Sequence, residues 1–95
     1  GDDAFIDDVV LIDGVGAKSA KALAAEGYGE LTKLAKISAK DADALFEKVG
    51  VANRAKSEDW VGQAKAIVAG ESPRAKVDQR LLVKMRAAKA ANGEG

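Results

Sequence analysis

Gly14-Val15-Gly16, followed closely by Lys18, Ser19 and Lys21, is the stretch of this chain best suited to hold a ligand. Glycines on both sides of Val15 open dihedrals closed to residues with a Cβ, so one helix can end near Ile12 and another begin near Ala17. Val15 then points into the seam between them. Amides after such a turn lie at a helix N-terminus, where N–H groups and the helix dipole favour a phosphate oxygen. Lys18 and Lys21 share a helix face and can flank the mouth of the turn, although the same spacing also suits a solvated surface. Asp13 sets a negative charge where the phosphate would approach. Arg54, Lys56 and Lys65 could extend a basic surface beside the hairpin.

Other chemistry is scarce. The 95 residues contain no histidine and no cysteine, which removes the usual general base, the usual zinc ligand, a thiolate metal site and any disulfide. The neighbouring carboxylates Asp7-Asp8 and Glu58-Asp59 could be imagined as an acid–base pair or a magnesium site, yet both fit the charge that favours a helix N-terminus. Neither an enzyme, nor a cofactor, nor a small-molecule substrate is expected. Fifteen basic and 15 acidic residues give zero net charge, so any contact with a polyanion must come from a local patch. The charge is unevenly spread. Asp2, Asp3, Asp7, Asp8 and Asp13 stand in the first 16 residues without a base, whereas Arg74, Lys76, Arg80, Lys84, Arg86 and Lys89 face only Asp78. An acidic head and a basic tail can attract each other. No apolar run approaches the roughly 20 residues of a membrane span, and no basic-then-apolar leader opens the chain, so a soluble, cytoplasmic protein without membrane contact is expected.

The elements that must position these residues read as helices throughout. Gly1 to Asp3 looks like a frayed end. Phe5, Ile6, Val9, Val10 and Ile12 have mostly helical spacing, with Asp2 or Asp3 as a cap; the β-branched run could also be a strand, but no partner strand follows. Lys18 to Ala25 forms the second arm of the hairpin, ended by Gly27, and Tyr28 plugs the linker. Glu30 to Ala35 makes a short turn of helix. Ser38 caps a helix over Ala39–Val49 with Asp41 at its third position, and Gly50 closes it. Val51 to Lys56 reads as a loop. Ser57 caps the next helix, whose apolar face comprises Trp60, Val61, Ala64, Ile67 and Val68 and which ends at Gly70. Trp60 could stack a base, but its spacing favours a core anchor.

Composition changes at Gly70, dividing the chain into a helical unit over 4–70 and a C-terminal segment over 71–95. Pro73 signals a helix start, and the pattern from Arg74 to Ala91 carries Leu81, Leu82 and Met85 as an apolar stripe in a basic surround. That helix either packs by this narrow stripe or projects and docks on a partner protein; 92–95 is expected to be disordered. The fold class is all-α, a bundle of about five short helices plus a basic C-terminal helix.

Leu11-Ile12-Asp13-Gly14-Val15-Gly16-Ala17-Lys18, followed by Ala20, Leu23, Ala24, Gly27-Tyr28, Leu31 and Leu34-Ala35, resembles a helix-hairpin-helix module. The continuation through the Trp60 helix is similar to the small helical domain at the N-terminus of strand-exchange recombinases. It is also similar to tail domains appended to some bacterial versions of a large-subunit ribosomal protein and of a small NADH dehydrogenase subunit, where a segment like Arg54–Lys65 closes the domain. The likeness covers about residues 5–70. It implies a contact, without sequence specificity, between hairpin amides and a DNA or RNA backbone, nominating Gly14, Val15, Gly16, Lys18, Ser19 and Lys21, with Arg54 and Lys56 beside them. The expected function is a non-enzymatic nucleic-acid-binding accessory module. The alternative is an assembly module that docks on a partner protein through the C-terminal helix.

Overall fold

Helix signals dominate the chain, and the computed structural model, described here over residues 3–93, is built from them: a 3-10 turn and six α-helices, with no strand among the described residues. After the 3-10 turn Val9–Leu11 come α1 (Ala17–Ala25), α2 (Leu31–Ala35), α3 (Ala39–Val49), α4 (Ala52–Ser57), α5 (Trp60–Val68) and α6 (Lys76–Gly93). Trp60, Leu11, Ile12, Leu23, Leu31, Leu34 and Val9 are fully buried at the centre. Side chains of this size contribute about 1.5–3 kcal/mol each by leaving water, so these few supply much of what holds a domain of this length together. α2 lies against α5, and Phe46 of α3 meets Trp60 edge-on at 5.8 Å. Trp60 is therefore a core anchor.

The expected first helix is not formed. Residues 4–8 carry no regular structure, and the chain makes a single 3-10 turn before leaving in an extended conformation at Ile12. Two aspartates explain this. Asp8 accepts from the Val10 amide at 2.9 Å, and Asp7 accepts from both the amide and the hydroxyl of Thr32, so this segment bonds to α2 and to its own turn instead of closing an i→i−4 ladder. Val9, Val10 and Ile12 are β-branched, which lowers the cost of declining a helix. Gly1 and Asp2, with the cap expected at Asp2, lie outside the described residues.

The expected loop over 51–56 is likewise a helix, α4. Gly50 turns the chain in the left-handed region (φ 83°), and Ala55 enters the core as α4 forms. Ser57 consequently ends α4 and caps nothing. The cap of α5 is Asp59, itself left-handed at φ 52°, whose carboxylate accepts from the Gly62 amide at 3.1 Å. Ser38 does cap α3, through the Asp41 amide at 3.1 Å. Val68, expected on the apolar face of α5, is exposed.

α6 starts at Lys76, three residues beyond a buried Pro73, and runs through Asn92 and Gly93, which are helical and not disordered; Glu94 and Gly95 lie outside the described residues. It packs on the N-terminal segment. Leu81, Leu82 and Met85 rest half-buried against the core, and Arg86 and Lys89 donate to the carbonyls of Ala4 (2.8 Å) and Phe5 (3.2 Å). The stripe expected to dock on a partner is thus occupied within this chain. The basic tail does meet the acidic head: Arg74 pairs with Asp13 at 3.1 Å.

Candidate nucleic-acid interface

The hairpin is a turn closed by the Val15 amide donating to Ile12 at 3.0 Å, with Gly14 at φ 101°. Only a glycine enters that region without strain. A Cβ at Gly14 would also stand 1.9 Å from Oε1 of Glu58, so that carboxylate would have to leave the Trp60 indole and Arg54 that it accepts from. Gly16 differs. Its φ of −83° and ψ of −177° suit any residue, and a Cβ there would meet nothing within 4 Å. The expectation that both glycines escape into special dihedrals therefore holds for Gly14 alone.

Gly16 is the N-cap of α1 and brings no side chain to bond the first amides. The amides of Ala17, Lys18 and Ser19 precede the first α1 residue that can reach back four positions, and they find no acceptor among the described residues. They open to the surface beside the exposed Lys18 and Lys21, which form no ion pair among the described residues. Val15, also nominated as a contact, has its side chain buried and its amide engaged with Ile12, so it shapes the turn without offering a donor.

A buried glutamine holds this turn to the core. Gln63 of α5 accepts from the Asp13 amide at 2.8 Å and donates through Nε2 to the carbonyls of Asp13 (3.2 Å) and Glu58 (2.7 Å). A buried amide with all these partners is satisfied and rigidifying. Sequence reading missed it. The signal was a polar residue three positions after Trp60 and four before Ile67, on the helix's inward side.

The carboxylates around the hairpin are compensated. Glu58 lies over Gly14 and accepts from the Trp60 indole N–H and from Arg54 Nε, each at 3.1 Å. Asp13 is neutralised by Arg74, so the charge expected to repel a phosphate has a cation on it. Burial, and after it the Asp13 charge, raises the Asp78 carboxyl above its ordinary 3.8. Ser19 and Arg54 line one groove beside the turn, whereas Lys56 lines another between α3, α4 and α5. The two grooves share Glu47, Ala52 and Asn53 along their common edge. No group of three or more acidic side chains among the described residues is placed to hold a metal ion, and the paired carboxylates are engaged as caps and hydrogen-bond acceptors.

A glycine-mediated turn between a short helical arm and an uncapped α-helix, buttressed by further helices, defines a helix-hairpin-helix domain. The chain belongs to the family described as the RS2/RL21/YNQ2 HHH domain, which matches residues 10–68. Comparison with curated proteins and with solved structures returned no match. The family match ends where α5 does, so α6 is an addition to the family unit. No described helix is long and apolar enough to cross a membrane.

Proposed function

We propose that this domain is a non-enzymatic module that grips the phosphate backbone of DNA or RNA through the hairpin, without reading base sequence. The observation that carries the reading is Gly16. Neither its dihedrals nor its surroundings require glycine, and its bare Cα leaves the first amides of α1 open to a close-approaching anion. Lys18 and Lys21 add two unpaired cations at the same helix start, suited to positioning contacts on phosphates. The absence of histidine and cysteine supports a role without catalysis.

Titration of the full chain with a DNA and an RNA duplex of unrelated sequence tests this. Binding should fall steeply with salt, and Lys18→Glu with Lys21→Glu should flatten the log–log salt slope by about 1.8, two phosphate contacts' worth. Undetectable binding at low salt, or binding indifferent to those substitutions, overturns the reading.

One feature favours the second reading, a module that assembles with a protein partner. A surface groove of about 510 Å³ between α3, α4 and α5 is lined by apolar side chains including Ile37, Ala42, Phe46, Ala52 and Val61. A folded chain that ignores both duplexes at low salt would favour that role.

A further inference from the structure

α6 lies beyond the family unit and turns its two sides to different tasks. Inward go Leu81, Leu82 and Met85. On the opposite side Lys76, Arg80 and Lys84 recur every fourth residue, with Val83, Ala87 and Ala91 beside them, all exposed. At 100° and 1.5 Å per residue the three cations form one line about 12 Å long. None of them makes an ion pair among the described residues. The other cations of this segment are engaged: Arg74 with Asp13, Arg86 with Ala4, Lys89 with Phe5. The helix's acid, Asp78, is half-buried on the inward side.

We propose that the line Lys76-Arg80-Lys84 is a second contact surface for the phosphate backbone of a nucleic-acid duplex. The proposal rests on the hairpin reading for its choice of ligand. Charge complementarity supports it: the outward side carries cations and no acid, and the small alanines beside them let a backbone come close. The pair between Arg74 and Asp13 ties the start of the segment to the residue before the hairpin glycines. A protein partner fits less well. The exposed Val77 and Val83 stand six residues apart, about 120° around the helix, on opposite flanks of the basic line, and so make no continuous apolar seam.

The test compares three full-length chains, the unaltered one, Lys76→Ala/Arg80→Ala/Lys84→Ala and Lys18→Glu/Lys21→Glu, against a DNA duplex, an RNA duplex and polyglutamate across a salt series. The triple variant should lose roughly tenfold or more in duplex affinity at low salt and flatten the salt slope by about 2.7. The two duplexes show which nucleic acid is preferred. If only the hairpin variant loses affinity, this inference falls and the hairpin reading stands. If only the triple variant does, the hairpin reading falls and this one stands on the measured duplex binding itself, which then replaces the hairpin as the ground for the choice of ligand. Polyglutamate bound by the unaltered chain as poorly as salt alone would allow supports the choice of ligand; a duplex bound no better than polyglutamate overturns it.

Discussion

Gly14 and Gly16 stand two apart and answer to different constraints, which makes them separable by substitution. Gly14→Ala forces a Cβ into a left-handed backbone and into the Glu58 carboxylate, displacing the acceptor of the Trp60 indole. A cost of about 2 kcal/mol or more is expected, read as a fall of roughly 10 °C in Tm. Gly16→Asp should do the reverse for stability, because its side chain supplies the missing cap; Tm holds or rises by the equivalent of a few tenths of a kcal/mol. The same carboxylate would occupy the amides proposed to hold phosphate, so duplex affinity should drop. A variant that melts higher and still binds fully would place the ligand elsewhere. At this scale the sequence was partly legible: the Gly-apolar-Gly pattern marked the turn, but it could not tell which glycine the fold needs, because that depends on the path the folded backbone takes, left-handed at Gly14 and ordinary at Gly16.

Elements followed their local signals wherever the signal was a cap or a stripe. Ser38 and Gly50 delimit α3 as their chemistry requires, and Trp60, Ala64 and Ile67 face inward from α5. The misreadings arose where long-range bonds override spacing. Asp7 reaches Thr32 and the Val9 amide donates to Gly29 at 3.1 Å, so a helix-spaced segment is pinned open by α2 and the linker before it. At the α4–α5 junction a six-residue helix ends against a new one, and the left-handed Asp59 takes the capping role that Ser57 was expected to fill. Asp59→Ala removes the cap and strains the backbone, an expected loss of about 2 kcal/mol in chemical denaturation. Asp59→Gly keeps the dihedral accessible and should lose markedly less. Equal losses would mean that the left-handed backbone costs nothing here.

For the whole molecule, α6 ties the basic tail to the acidic head and brings Asp78 toward Asp13. The raised carboxyl of Asp78 means that the folded chain holds this proton more tightly than the unfolded one. Its contribution is therefore most favourable below the ordinary 3.8 and is lost as pH rises through the folded value. Asp78→Asn should gain stability relative to the unaltered chain as pH rises from below the ordinary 3.8 toward neutrality, when the two are melted in parallel. A gap that stays constant would show that Asp78 is not perturbed. The unpaired cations of α6 and the open amides of α1 make the molecule a two-sided candidate for a phosphate backbone, and the hairpin is the claim on which the rest depends. Its most direct test is an NMR titration of the full chain with a short duplex. The account predicts salt-reversible shifts concentrated in the amides of Gly16, Ala17, Lys18 and Ser19; amides that stay still while the duplex is bound, or no binding at low salt, would contradict it.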